Sequence, residues 1–418
     1  MFLTHTFRAL RHRDYFIFWL GLFLGHNGSL IQTTAAGWLV FELTDSPFYL
    51  GLYGFCLGLP RTIFSPLGGA VVDRVNRRSL FNFTQSVFLL MALFLGVMNY
   101  TGLIHVWHIL IVSALTGFFL SFEQPVRQSI LHHLVPQEDL INAVSLYNLI
   151  FNGSPLIGPA IAGVLITVIG TAGCFFFHAA GSAIILVTIF LIHIPQRPAD
   201  AQRKSLGKDV TEGLSVAWNT PIFFSLFSAL AVISFFTKPY NQFMPVFARD
   251  ILFVGAPGLG LLLMAPGAGA VFGGLVFASI RRFPRTHLLM AILACGFGIS
   301  LVLFTLSRSF PLSLSFLFLT GAFQTSFLTL IATSLQVYSL DATRGRIMAL
   351  FGLLNRGIGP MGAFPIGALA TWIGAPITIA VGALLGVSMT IYVTLWSPHL
   401  RKAAVLGESS TAMKEKQG

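Results

Sequence analysis

Charged residues are what this 418-residue chain has least of: 9% are Asp, Glu, Lys or Arg, against 55% hydrophobic residues. So little polar material cannot cover a water-soluble globule of this length, and a mean hydropathy of +0.81 places the chain in a bilayer. Cysteine is scarce too. Cys56, Cys174 and Cys295 each sit within an apolar stretch, a placement that serves packing and excludes a disulfide framework. Acids number 14 and bases 25, a formal charge of +11. The bases form short clusters with no continuous basic face, which excludes a nucleic-acid reader. No phosphate-cradling motif of a nucleotide-driven pump is present. Nor does the sequence gather a nucleophile with a base or a convergent metal-ligand set, so the expectation is no enzyme, no metal site and no cofactor.

Long apolar runs are what it has instead. Twelve can be read, at 15–41, 47–72, 79–100, 105–134, 140–169, 171–195, 219–246, 256–280, 286–307, 311–339, 346–373 and 375–397. Each reaches the roughly 20 residues a helix needs to cross a hydrocarbon core, and a helix satisfies its own backbone there. The first run, behind Arg8, Arg11 and Arg13, is too long and too directly continued for a cleaved signal peptide. With both termini in the cytosol, 19 of the 25 Lys and Arg lie in tails and loops on the inner side, and Arg249 and Arg308 on the outer side. That asymmetry is the positive-inside pattern.

A polar stretch at 196–216 divides six runs from six. The expected fold is therefore an all-α integral membrane protein of twelve helices: a six-helix bundle over 1–195, a cytosolic linker over 196–216, a second bundle over 217–400 and a polar cytosolic tail over 401–418. The halves echo one another at an offset of 204 residues, Gly117 with Gly321, Gly158 with Gly362, Gly163 with Gly367 and Gly170 with Gly374. Parallel six-helix repeats of this kind let two halves rock about a central site. The expected partners are the lipid bilayer and a small organic substrate, with no nucleic acid, and the expected working unit is a monomer.

The turn after the second run reads Gly69-Ala-Val-Val-Asp73-Arg74-Val-Asn76-Arg77-Arg78. It joins a glycine suited to close packing, an acid at a helix end and a dense basic patch that can anchor topology. The fifth run carries Gly153, Gly158, Pro159 and Gly163, whose small residues and freed carbonyls permit close, bent helix contacts. From the end of the fourth run to the start of the fifth come Pro125-Val-Arg127-Gln128, Leu134-Val135-Pro136 and Asn142-Ala143. Taken with the span count, these residues resemble the major facilitator superfamily over nearly the whole chain. More narrowly, they are similar to its bacterial branch of enterobactin-exporter-like and macrolide-efflux-like proteins.

The resemblance implies a transporter of the bacterial plasma (inner) membrane, working by alternating access. It gives Gly69 a close-packing role and Asp73, with Arg74, Arg77 and Arg78, a gating contact with the other half. It gives the fifth helix an antiporter character, hence export by exchange driven by inward proton movement, with proton-driven uptake of a small organic solute as the alternative. Three positions depart from the family pattern: Asn76 replaces a favoured glycine, Ala278 stands where the second-half counterpart of Asp73 would lie, and Ser113 replaces an arginine common among relatives.

Glu123 is the one acid clearly inside an expected span, where it could carry a coupling proton. Arg127 follows four residues later on the same helical face, so a structural Glu–Arg bridge is the competing role. Arg61, Lys238 and Arg356 are cations within spans, costly unless they meet carboxylates, carbonyls, water or ligand. In the family arrangement helices two, seven and eleven border the central cavity. The implication is a positive cavity that prefers anionic or polyhydroxylated substrates such as siderophores or drugs, with snorkelling or a carbonyl-bound structural role as the alternative. His26, Asn27, Tyr240, Gln324 and Asn355 add hydrogen-bonding groups to cavity-bordering helices, where helix packing competes as their role.

Overall fold

Inside hydrocarbon no water reaches a backbone amide, so a chain this apolar closes its hydrogen bonds helix by helix. The structure is a computed structural model that describes residues 7–192, 215, 218–279 and 286–396, the side chains at 70, 73, 342 and 396 aside. The tail over 401–418, the bases Arg281, Arg282 and Arg285, and all of the 196–216 linker but residue 215 lie outside the described residues. The helices are α1 (Arg13–Thr44), α2 (Pro47–Arg74), α3 (Arg77–Tyr100), α4 (Val106–Leu131), α5 (Leu140–Leu191), α6 (Pro221–Thr237), α7 (Gly255–Ala278), α8 (Thr286–Leu306), α9 (Phe310–Tyr338), α10 (Asp341–Ile373) and α11 (Ala375–Trp396). Short helical turns from Lys238 to Ile251 join α6 to α7.

Among the described residues nine stretches are long and apolar enough to cross a membrane. The protein is thus a multi-pass, all-α membrane protein. The longest stretch, Gln137–Leu191, contains α5 and runs over 55 residues. It holds two arms, because Gly170 at φ 69°, ψ 175° breaks the helix. Helices α1 and α2, of 32 and 28 residues, have the length to cross. His26 and Asn27 in the first and Arg61 in the second make them more polar than the nine. Where the chain turns from α2 to α3, Asn76 caps the new helix, its Oδ1 accepting the Ser79 N–H at 3.1 Å. A side-chain acceptor there explains why glycine is not needed.

By packing, the chain falls into two compact units, Met1–Lys204 with Met244–Met264 and Ser205–Phe243 with Ala265–Gly418, each as far as its residues are described. Tyr15, Phe18, Phe81, Val126, Ile130 and Tyr147 centre the core of the first. Phe223, Leu230, Phe297, Phe327, Leu330 and Ile331 centre that of the second. Large side chains such as Leu90, Val168, Phe190 and Leu275 are exposed, as they should be where the solvent is acyl chain.

Three of the glycine pairs spaced by 204 residues occupy matching places, each within its own unit. A methyl group at Gly117 would collide with the Leu57 carbonyl of α2, and one at Gly321 with the Pro266 carbonyl of α7. Gly158 lies against α1, where a methyl would come within 2.8 Å of Leu30 Cβ, and Gly362 lies against the Phe235 carbonyl of α6. Gly170 and Gly374 both stand at positive φ, 69° and 82°, where an L side chain is strained.

Two packing expectations need correction. A methyl at Gly69 would meet nothing within 4 Å, whereas one at Gly68 would strike the Ser121 carbonyl of α4. One residue turns the Cβ direction by about 100° on a helix, so the contact falls on the neighbour of the expected glycine. Gly153 likewise meets nothing within 4 Å, since it lies on a face of α5 without a close neighbour. Gly163 does pack: a methyl there would lie 2.6 Å from the Ala256 carbonyl and 3.1 Å from Gly260 Cα at the start of α7. Pro159 shares that crossing, its carbonyl 2.6 Å from where a methyl on Gly260 would be.

Candidate functional site

In α4, Pro125 has no N–H to give the Ser121 carbonyl, and Gly68 is what lets α2 come up against that oxygen. The helix is thereby held two residues from Glu123. This carboxylate is 3% exposed. Its Oε1 accepts Arg127 Nη1 at 2.5 Å and Gln85 Nε2 of α3 at 3.2 Å. Its Oε2 is buried with no hydrogen-bond partner among the described residues, and so is Arg127 Nε. The Arg127 guanidinium lies 4.4 Å over the Phe151 ring of α5, a desolvated cation–π contact. Phe151 in turn touches His26 of α1 and Tyr147, with ring centroids at 4.3 and 4.6 Å.

This arrangement draws Gln85, Glu123, Arg127, Phe151 and His26 from four elements into one buried chain of contacts. Arg61 joins it electrostatically: His26 feels the charges of both Arg127 and Arg61. Asn27 Nδ2 donates to the Phe23 carbonyl at 2.8 Å, and its Oδ1 is buried without a partner among the described residues. Chemically the cluster holds one carboxylate whose charge is shared with an arginine and whose second oxygen is open to a proton or a donor.

The second unit gathers a different set. The Lys238 ammonium donates to both the backbone carbonyl and the side-chain oxygen of Asn355, with Arg356 in electrostatic range. Tyr240, at 1% exposure, is packed into the interior instead of facing open space. Gln324 is half-buried on α9 and makes no hydrogen bond among the described residues.

The basic turn is tied down locally. Arg77 Nη1 lies 2.8 Å from His133 Nε2 just beyond α4, and Arg78 Nη2 donates to the Ile189 carbonyl at 3.0 Å near the end of α5. Arg74 is exposed, and the side chain of Asp73 is outside the described residues. Asn142 and Ala143 hold the start of α1 and the segment before it: Asn142 Oδ1 accepts the Ala9 N–H at 2.9 Å, and the Ala143 carbonyl accepts the Tyr15 hydroxyl at 2.7 Å. Buried Asp139 binds Arg8 at 2.9 Å and His12 at 2.8 Å beside them. Two buried polar contacts escaped the sequence reading altogether. Gln85 on Glu123 is one, and the other is Gln32 Oε1 with His178 Nδ1 at 2.8 Å. Polar residues alone on apolar helix faces were their only signal.

Known proteins share this architecture. A family model described as transmembrane secretion effector matches residues 4–416. The staphyloferrin A transporter of Staphylococcus aureus is 25% identical over 381 residues, covering 90% of this chain and 94% of that protein. Macrolide efflux protein A of Streptococcus pyogenes is 23% identical over 307 residues, covering 73% and 75% respectively. Among solved structures, the nucleoside transporter NupG superposes with a TM-score of 0.73 at 14% identity, over 93% of this chain and 99% of that one. The chain belongs to the transmembrane secretion effector family of the major facilitator superfamily, and it is a transporter with that superfamily's fold.

Proposed function

We propose that this family member exports a small organic molecule from the bacterial cytosol by proton antiport. One observation carries the reading: Glu123 is a buried carboxylate with one oxygen held by Arg127 and Gln85 and the other unpartnered among the described residues. Such an oxygen can take a proton from a water-filled path with no second acceptor in competition, and protonation weakens the hold on Arg127. Arg127 then leans on Phe151, next to His26, so a proton at Glu123 is felt where a substrate can reach His26 and Arg61. Direction is supported by the efflux relatives of the family.

Twelve crossings in two six-helix repeats, 1–195 and 217–400 joined by the 196–216 linker, form the machine in this proposal. The matched glycines Gly117/Gly321, Gly158/Gly362 and Gly170/Gly374 support the repeat. A single chain supplies both repeats, so the working unit is a monomer, with both termini on the basic, cytosolic side. Asp73 is assigned the gating contact, and Arg77 and Arg78 fix the turn that presents it. An anionic or polyhydroxylated cargo, of the siderophore or drug kind, fits the cations Arg61, Lys238 and Arg356. For the test, protein in oriented vesicles is screened for solute flux under imposed pH gradients. Glu123→Gln should keep solute exchange and lose gradient-driven accumulation; full pH-driven accumulation in that variant would sink the proton assignment.

A further inference from the structure

Two histidines make hydrogen bonds at the basic face of the first unit, and acid acts on the two bonds differently. Between α4 and α5 the chain turns tightly: the His133 and Leu134 amides donate to the Ile130 and Leu131 carbonyls at 2.9 and 3.2 Å, and Leu134 and Val135 are buried. Two other segments hold on to this connection. The turn from α2 to α3 does so through Arg77 Nη1, 2.8 Å from His133 Nε2. The segment before α1 does so through Asp139, whose carboxylate accepts Arg8 Nε at 2.9 Å and His12 Nε2 at 2.8 Å.

A guanidinium has donors only and keeps its charge at every working pH. His133 Nε2 must therefore offer its lone pair to Arg77, which puts the ring proton on Nδ1 and leaves the imidazole neutral. A second proton can go only to Nε2, where it removes the acceptor and sets cation against cation. His12 is the reverse case. Its partner is a carboxylate, so Nε2 donates whether the ring is neutral or charged. Arg78 also anchors the turn, through the Ile189 carbonyl at 3.0 Å, and that acceptor does not titrate. Of the other charged groups about this corner, Arg74, His132 and Glu138 are exposed, and the start of α1 adds Arg11, Arg13 and Asp14. Arg127 on α4 is bound to Glu123, and the first two turns of α5 bring only Tyr147. Asp73, whose side chain is outside the described residues, is the acid nearest Arg77 in sequence.

We propose that His133 is a pH-sensing latch on the basic turn. Neutral, it holds Arg77; protonated, it lets go, and the turn that carries Asp73 loses one of its two arginine anchors. Imidazole changes charge between about pH 5 and 8. The hold is therefore complete at the alkaline end of that range and is lost as pH falls through it. On the positive-inside pattern the pH it senses is that of the cytosol. The inference rests on the export reading only in giving Asp73 the inner gate, which the latch then ties to cytosolic pH separately from Glu123. Release of the turn by acid does not depend on what is carried.

The test places a nitroxide spin label in the turn at Val75→Cys, a position 42% exposed, in full-length protein with Cys56, Cys174 and Cys295 replaced by alanine. In lipid nanodiscs, electron paramagnetic resonance reads how much of the label is mobile. The ratio of mobile to immobile label should rise about tenfold from about pH 8 to about pH 5, the worth of one hydrogen bond to a charged group. His133→Gln keeps an acceptor for Arg77 that does not titrate, so its ratio should stay low throughout. Arg77→Gln should be mobile at both ends of the range. His12→Gln and His132→Gln should leave the transition where it was. No rise in the parent, as when a charged His133 is taken up by Asp73, overturns the latch. So does a transition that survives in His133→Gln, one that disappears in His12→Gln or His132→Gln, or an Arg77→Gln turn as immobile at pH 8 as the parent. Solute flux measured in parallel keeps the two readings apart. A label that responds to pH without any flux leaves the latch standing and counts against export, whereas flux with an unresponsive label does the reverse.

Discussion

Glu123 with Arg127 in the first unit and Lys238 with Asn355 in the second are both charged groups embedded among membrane helices, but they are neutralised differently. In the first, a carboxylate and a guanidinium one turn apart on α4 share a hydrogen bond at 2.5 Å. In the second, an ammonium leans on two neutral oxygens of one asparagine. A paired charge depends on its partner to remain buried, whereas an amide-held cation depends on something outside its own residues for charge balance. The first arrangement therefore suits a group that must exist in two protonation states without the helices coming apart. The second holds a cation in place without cancelling its charge.

The contrast breaks most sharply on the stability side. Arg127→Met removes the partner and leaves the Glu123 carboxyl group buried without its counter-charge, a change expected to cost about 3–5 kcal/mol. Thermal unfolding in detergent micelles should show a large fall in Tm, and Glu123→Gln, which keeps a hydrogen-bonding amide toward Gln85 and Arg127, should fall less. A loss of under about 1 kcal/mol in Arg127→Met would mean that water already reaches the pair, contrary to its burial at 3% and 9% exposure.

A smaller effect separates packed from open glycines, and it asks whether the two units are held by the same kind of crossing. Gly68→Ala in the first unit and Gly321→Ala in the second each push a methyl into a facing carbonyl, at Ser121 and Pro266. Overpacking of this kind costs about 1–3 kcal/mol. Gly69→Ala and Gly153→Ala meet open space and should be neutral or slightly stabilising through helix propensity. Should Gly69→Ala prove the more damaging of the adjacent pair, its role lies in a state other than the one seen here.

That pair also marks how far the sequence could be read. The Gly117/Gly321, Gly158/Gly362 and Gly170/Gly374 correspondences were legible because an internal offset needs no knowledge of which way a helix faces. The choice between Gly68 and Gly69 does need it, and two adjacent glycines in an apolar helix carry no azimuth. Glu123 and Arg127 were legible as partners because a spacing of four residues is a local rule. Lys238 and Asn355 are 117 residues apart, Gln85 and Glu123 are 38 apart, and Gln32 and His178 are 146 apart. Only the fold brings such residues together. Burial is no more legible: nothing in the sequence around Tyr240 tells that its side chain is only 1% exposed.

The smallest expected change in stability is the one that sharpens the comparison furthest. Lys238→Met replaces the ammonium with an unbranched side chain of similar length, which still fills the notch beside Gly359. No carboxylate of α6 or of α10 near Asn355 is left stranded, because the sequence has none between Glu212 and Asp250 or between Asp341 and Glu408. The Asn355 carbonyl loses an extra donor, but its helix neighbours remain, and an embedded charge is removed. Stability should therefore stay within about 1 kcal/mol of the parent or rise. The check is paired: Tm for Lys238→Met beside Arg127→Met, in the same micelles and without ligand. If Lys238→Met unfolds as readily as Arg127→Met, the lysine is structurally paired, and the two units hold their charges alike.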